Sequence, residues 1–418
     1  MANTCLTEAE PSLEQFLPEG FMTGPRLTEA LRSAEAPPVI VAELSGNHRG
    51  ELSQAMELVD AAADAGADAV KLQTYRPDTI TVDCRDERFL LKEGLWAGRY
   101  LHDLYDEAMT PWEWHIPLAE RAAEKGLALF SSPFDETAVQ FLEENLDPPL
   151  HKIASCETNH LPLLRTVART GKPVVVSVGA STSREISDLL ELLQSEGCPL
   201  VVLLQCVSEY PAEHKDFHLL SIPALEKEFE VLVGLSDHSP GHVVPVVATA
   251  LGARLIEKHL VLDREDGSID AGFSMEPSEF RDMCTAVRQA HASLGEPRLG
   301  IAPEETGARR FRRSILVSAQ IRSGDVLSAD NLRVARPSDG LSPSRWEEVL
   351  GCWAITGDTD YLMHVVAPSL KIFSALVLKR LLAQPMVASV KSSILLEELK
   401  MTNVLPSNHL QDNQVEPF

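Results

Sequence analysis

The chain has 418 residues, 37 Lys and Arg against 62 Asp and Glu, a net charge of −25 and a hydrophobic content of 44%. That acidity argues against a nucleic-acid partner, which needs a basic face, and no apolar, charge-free run of about 18 residues suggests a membrane span. The seven scattered cysteines (Cys5, Cys84, Cys156, Cys198, Cys206, Cys284, Cys352) never form a C-x-x-C pair, which fits reduced thiols rather than a disulfide frame or zinc site.

Residues 1–36 read as a poorly ordered leader with weak helical stretches. Glu8, Glu10, Glu14 and Glu19 and the lack of an apolar core argue against a secretory signal, so the expected location is cytoplasmic. From Pro37 onward, eight short β-branched runs alternate with amphipathic stretches of helical length: VIVAEL (39–44), DAVKLQT (68–74), LALFSS (127–132), LHKIAS (150–155), PVVVSVG (173–179), LVVLLQC (200–206), VLVGLSD (231–237) and ARLIEKH (253–259). Helices between strands imply parallel strands joined by right-handed crossovers. Eight such units over 37–298 predict an α/β fold of the (β/α)8 TIM-barrel type. A doubly wound open sheet is the alternative, but no G-x-G-x-x-G follows the first strand. The longest interruption, about 75–110, is rich in Trp and Tyr and is expected to be ordered. A linker follows at 299–308, then a small α+β module over 309–354, then a tail, 355–418, without an assignable fold.

In a (β/α)8 barrel, chemistry gathers at the carboxyl ends of the strands. Those ends carry Glu43; Lys71 and Gln73; Ser131 and Ser132; Lys152, Ser155 and Glu157; Ser208 and Tyr210; Ser236, Asp237 and His238; and Glu257 and His259. Two lysines with serines suit an anionic phosphate or carboxylate. Two histidines on adjacent strands suit one divalent metal with open positions for water and substrate. Glu43 and Glu157 are candidate bases. Taken singly, a strand-end lysine or histidine is more often structural, and Glu257 beside Lys258 reads as a surface pair. Their convergence on one barrel end favours a metal-assisted enzyme acting on a phosphorylated or carboxylated small molecule.

The segments VAELSGNHRGELSQAMELVDAAADAGADAVKLQTYRPDTIT, FSSPF, HKIASCE, GLSDHSPG and EKHL, in that order, resemble the sialic acid synthase family from about Pro37 to Gly351. The resemblance implies a TIM barrel followed by an antifreeze-like (SAF) domain. It also implies joining of phosphoenolpyruvate to an N-acetylated amino sugar, with release of phosphate. Within the family, GLWAGRYLHDLYDEAMTPWEWH and DAGFSMEP look most like the pseudaminic acid synthases, which use 2,4-diacetamido-2,4,6-trideoxy-altrose. The alternatives are use of another N-acetyl sugar, as in N-acetylneuraminate or legionaminic acid synthesis, or an inactive sugar-binding barrel.

Carried over by position, the resemblance implies metal ligation by His238 and His259, with Mn²⁺ or Mg²⁺. Phosphoenolpyruvate contacts would fall on Lys71, Ser132, Lys152, Ser155, Ser208 and Ser236, and sugar contacts on Glu43, Gln73, Tyr210 and Asp270. Catalytic roles would fall on Glu43, Glu157 and Lys152. Arg336, in ARPSDGL, matches an arginine that the small domain of one subunit inserts into its partner's barrel, so a domain-swapped homodimer is implied. After Gly351 the chain departs from the family with CWAITGDTDYLMHVV, so the small domain is expected to be incomplete or differently closed.

Overall fold

The structure, a computed structural model, describes Met22, residues 24–322, 325–354 and 361–365, and four positions from 374 to 379. It divides into two compact units, Met1–Glu296 and Pro297–Phe418.

In the first unit eight parallel strands close into a barrel in sequence order: β1 (Val39–Glu43), β2 (Ala69–Thr74), β3 (Ala128–Pro133), β4 (His151–Ile153), β5 (Val174–Ser177), β6 (Val201–Cys206), β7 (Leu232–Asp237) and β8 (Leu255–His259). Each falls within the apolar run that predicts it or ends one residue beyond it. β1 closes the ring on β8, with Val39 opposite Leu255 and Glu43 opposite His259.

The strand period of two sorts the residues by face. Ile40 and Ala42, Val70 and Leu72, Val233 and Leu235, and Ile256 pack outward against the helices. Val39 and Val41, Ala69, Ala128 and Phe130, Leu150, Val175, Val202 and Leu204, and Leu255 fill the lower interior. Continuing the same alternation upward places Glu43, Lys71, Ser132, Lys152, Glu257 and His259 in the top layer, all buried. The barrel interior is thus apolar at its floor and ionic at its carboxyl end.

Gly234 belongs to the inward set of β7. A Cβ there would lie 2.5 Å from the Leu255 carbonyl oxygen and 2.7 Å from Leu204 Cδ2. Glycine therefore lets β7 and β8 approach closely just below the site.

The floor is closed by a segment that the sequence assigns to a poorly ordered leader. Gly24–Arg32 is a helix, and its Leu27 and Leu31, one turn apart and both 0% exposed, join the lower interior cluster. Burying a leucine is worth roughly 1.5–3 kcal/mol, which explains why this short helix is held. The ordered fold therefore starts well before Pro37.

The 75–110 interruption is ordered, as its aromatics predict. It contains the helices Pro77–Ile80 and Leu101–Ala108 and a 3-10 turn at Glu87–Phe89. Gly98 N donates to Leu91 O at 2.7 Å and Leu91 N to Arg99 O at 2.9 Å, closing a loop that projects Trp96.

In the second unit, β9 (Ser314–Val317) and β10 (Leu332–Ala335) pair antiparallel, as do β11 (Val349–Ala354) and β12 (Tyr361–Val365). A 3-10 helix, Pro343–Glu348, lies between β10 and β11. The sequence boundary at 354 cuts through the β11–β12 hairpin, so the antiparallel pairing continues into the segment read as a tail. Apart from those four positions between 374 and 379, the rest of 355–418, including most of KIFSALVLKRLLAQ, lies outside the described residues.

Candidate active site

Four charged side chains share the top layer of the barrel. The Lys71 ammonium is ion-paired with Glu43, its register partner across β1 and β2, and lies 3.5 Å from Glu257 Oε2. Lys152 Nζ lies 3.3 Å from Glu257 Oε1. Ser236 Oγ donates to the same oxygen at 3.0 Å, and Lys71 Nζ donates to Ser132 Oγ at 3.3 Å. Two ammonium groups and two carboxylates, none more than 5% exposed, thus form one network.

Burial disfavours every charge in the network, and the neighbours decide which charges survive. Burial opposes the Lys71 charge, but Glu257 and Glu43 outweigh it and hold its pKa above the ordinary value. Burial dominates at Lys152 and lowers its pKa despite Glu257. Glu257 faces both lysines, which overcome burial and bring it down to about 2. Burial raises Glu43, and the neighbouring Glu257 adds to the rise. Glu257 is therefore the fixed anion of the network, and Glu43 is the carboxyl readiest to hold a proton.

Beside this network stand two imidazoles. The His238 and His259 ring centroids are 5.3 Å apart. His238 Nδ1 lies 2.8 Å from Val207 O, and because a carbonyl only accepts, Nδ1 carries the proton and Nε2 keeps its lone pair. Burial lowers the pKa of His238 to about 4 and that of His259 well below its ordinary value. His259 Nδ1 is buried without a hydrogen-bond partner, 3.9 Å from Asp270 Oδ2. Among the described residues no three His, Cys, Asp or Glu side chains are gathered to hold a metal. Two neutral imidazoles, one with its far nitrogen already anchored and one with an unpartnered buried nitrogen, fit a divalent ion that takes its other ligands from water and substrate.

Around the histidines the lining is aromatic. The Tyr210 ring lies 4.4 Å from His238 and 5.0 Å from Phe273, and Phe273 lies 4.7 Å from His259. Trp96, from the long loop, comes to 5.5 Å from Tyr210 and is pinned by its indole N–H to Ile269 O at 2.9 Å.

Ser45 links three of the candidate sugar contacts. Its N–H donates to Glu43 Oε1 at 2.8 Å, its hydroxyl donates to Asp270 Oδ2 at 2.5 Å, and Gln73 Nε2 donates to that hydroxyl at 3.0 Å. Its backbone sits at φ 44, the left-handed region, which a serine in a tight turn adopts at some cost.

The structure thus draws together Glu43, Lys71, Gln73, Ser132, Lys152, Ser236, His238, His259, Tyr210 and Asp270. Ser155 lies just after β4, its hydroxyl accepting from Ala180 N at 3.2 Å, and Ser208 Oγ stands 4.0 Å from Cys206 Sγ. Glu157 follows β4 in a 3-10 turn, faces His160 at 3.9 Å, and has its pKa raised by burial. Arg336 follows β10 in the second unit and is exposed.

Three sequence readings change. Glu257 and Lys258 are not a surface pair: they are 3% and 0% exposed, point to opposite faces of β8, and Glu257 is the hub of the charge network. Asp237, read with Ser236 and His238 as a share of the site, instead pairs with Lys258 at 2.6 Å. Ser131 turns away to Thr74 Oγ1 at 2.7 Å, beside His115. The period-two alternation separates these residues, since Glu257 falls in phase with Leu255 and His259, and Lys258 does not. Ser45 and Trp96 lie in segments that the sequence singles out, but their individual contacts in the pocket become visible only once the loops are placed.

Residues 58–298 match the NeuB family and residues 312–355 the SAF domain. Residues 344–405 match the Lrp/AsnC ligand binding domain, so the segment read as a tail without resemblance carries one, overlapping the SAF match at 344–355. The pseudaminic acid synthase of Campylobacter jejuni (strain 81-176) is 44% identical over 312 residues, 75% of this chain and 91% of that protein. That of Helicobacter pylori is 42% identical over 316 residues, 75% of this chain and 93% of that protein. The solved N-acetylneuraminic acid synthetase from Leptospira borgpetersenii aligns with a TM-score of 0.59 at 31% identity, covering 66% of this chain and 90% of that one. With a family match over more than half its length and two relatives above 40% identity over three quarters of it, the chain belongs to the NeuB family, the sialic acid synthases that its motifs resemble.

Proposed function

We propose that this chain is a pseudaminic acid synthase. It condenses phosphoenolpyruvate with 2,4-diacetamido-2,4,6-trideoxy-altrose, giving a nine-carbon 2-keto sugar acid and phosphate. The observation that carries the reading is the joint presence, at one barrel end, of the Lys71–Lys152 pair and the two neutral histidines, in a chain 44% identical to a pseudaminic acid synthase.

Lys71 and Lys152, with Ser132, Ser155, Ser208 and Ser236, hold the phosphate and carboxylate of phosphoenolpyruvate through charge-assisted hydrogen bonds. Incoming anion competes with Glu43 and Glu257 for the lysines, and Glu43, already raised by burial, takes up the proton that relieves the repulsion. Gln73, Tyr210, Asp270 and Glu43 hold the open-chain sugar with its aldehyde carbon against the methylene carbon of phosphoenolpyruvate. Much of the rate gain comes from that orientation. His238 and His259 would hold a divalent ion, Mn²⁺ or Mg²⁺, which would supply Lewis-acid polarisation of the sugar aldehyde. After the carbon–carbon bond forms, water adds at the former enol carbon under the guidance of Glu157, and phosphate departs.

The wall of Trp96, Tyr210 and Phe273 favours the deoxy sugar over N-acetylmannosamine, because a methyl group gains from an apolar surface where a hydroxyl loses its water. Arg336 completes the sugar site of a partner subunit, which makes the working form a domain-swapped homodimer. The free cysteines, including the buried Cys206 and Cys284, fit a reducing cytoplasm.

The test is phosphate release from phosphoenolpyruvate with each candidate sugar, with and without chelator. The reading predicts turnover with the trideoxy-altrose sugar, loss of it on chelation, and little with N-acetylmannosamine. No phosphate release with any N-acetyl sugar would leave an inactive sugar-binding barrel as the better description.

A further inference from the structure

One residue before each site histidine, on the opposite face of its strand, lies a second buried ion pair. Asp237 and Lys258 are register partners across β7 and β8, and both side chains are 0% exposed. Lys258 Nζ donates to Asp237 Oδ2 at 2.6 Å, to the Ser239 carbonyl, and to the Gly241 carbonyl at 3.2 Å. The other carboxylate oxygen of Asp237 accepts from Ser239 N at 2.8 Å and Ser239 Oγ at 2.7 Å. An ammonium has three protons to donate, and here every one goes to the turn 237–241 that carries His238.

A well-packed apolar pair would hold two strands together as well as a buried ion pair does. What an apolar pair cannot do is fix the backbone of a turn. Lys258 grips two carbonyls of this turn, and Asp237 holds Ser239 twice from the other side. Outside this clamp the His238 carbonyl accepts from Ala212 N at 3.1 Å and its side chain makes one bond, Nδ1 to Val207 O, while His259 directly follows the lysine of the clamp. The pair therefore sets the position of both imidazoles together.

We propose that the Asp237–Lys258 pair, with Ser239, is the positioning element of the histidine site: it holds His238 and His259 at the separation and orientation that a divalent ion needs. This rests on the metal reading above. Outer partners that orient metal ligands commonly change affinity about 10–100-fold when removed.

The test is Mn²⁺ titration of the metal-free, full-length protein by calorimetry, with thermal melting alongside. The double variant Asp237→Asn/Lys258→Met leaves no unpaired buried charge. It is expected to melt as a folded protein and to bind Mn²⁺ about 10–100-fold more weakly than the unmodified chain. Ser239→Ala, which keeps the ion pair and loses one bond of the clamp, is expected to weaken Mn²⁺ several-fold, and it serves as the deciding variant if the double variant does not fold. Unmodified affinity in the folded double variant, or in Ser239→Ala where that is the deciding variant, overturns the proposal. A different pattern marks failure of the metal reading itself: the unmodified protein binds no Mn²⁺, or His238→Ala binds it as well as the unmodified chain does.

Discussion

Lys152 and Glu257 meet at 3.3 Å although their strands, β4 and β8, stand on opposite sides of the eight-stranded ring. The contact spans the barrel, and Glu257 also reaches Lys71 on β2. One carboxylate thus favours the charged form of two ammonium groups in a layer where burial works against both.

Glu257→Gln removes that support. Lys152, whose pKa burial already lowers, falls further, and Lys71 loses one of its two anions. If phosphoenolpyruvate needs both ammonium groups charged, the alkaline limb of the kcat/KM profile moves to lower pH. Stability should drop by about 3 kcal/mol, the usual scale for breaking a buried pair from one side. A steady-state pH profile and a urea titration read the two effects. An unmoved alkaline limb would show that Glu257 does not govern the lysines.

Trp96→Ala opens the aromatic wall while leaving the charge network intact. The KM for the sugar should rise about tenfold, the scale of one lost aromatic contact, and the KM for phosphoenolpyruvate should stay within about twofold. Kinetics with each substrate varied in turn separate the two. Equal rises in both would mean that the loop shapes the whole pocket rather than the sugar end.

The legible part of this protein was the part governed by period. Eight apolar runs mark the eight strands, and the polar residues toward their carboxyl ends include Lys71, Lys152, His238 and His259. What stayed hidden depends on phase and on contacts distant in sequence. Glu257 and Lys258 are neighbours in the chain, and only the closed barrel shows that one faces two lysines and the other faces Asp237. Leu27 and Leu31 look like a weak helix in a polar leader until the open floor of the barrel gives them a place to be buried. Trp96 reaches the pocket through a bond to Ile269, more than a hundred residues away, which local pattern cannot supply.

Leu31→Ala tests the floor. The side chain is 0% exposed in the lower interior, so its loss should cost about 2–5 kcal/mol. Because the substitution lies at the opposite end of the barrel from the ionic layer, KM for both substrates should be unchanged at a temperature where the protein stays folded. A stability change below about 0.5 kcal/mol would mean that the Gly24–Arg32 helix does not seal the barrel in solution.

The pH dependence of stability follows from a histidine outside the ionic layer. His115 is buried, with Nε2 held 2.7 Å from Thr74 Oγ1 and Nδ1 3.3 Å from Pro111 O. Burial lowers its pKa to about 4, against about 6.5 in an unfolded chain. Between those values the unfolded state binds a proton that the folded state does not, so stability is complete above about pH 6.5 and is lost as pH falls toward 4. At pH 5 the loss from this one group is about 2 kcal/mol. Other buried groups are shifted too, with Glu43 and Asp270 raised by burial and His48 lowered by burial to about 4, so the total slope does not isolate it. The difference between the unmodified chain and His115→Gln does. Glutamine keeps a donor and an acceptor at that position but cannot titrate, so the stability gap between the two proteins should shift by about 2 kcal/mol in favour of the variant between pH 7 and pH 5. Urea titrations of both proteins at the two pH values measure it. A gap that does not change with pH would show that His115 is already protonated, or not buried, in the folded protein.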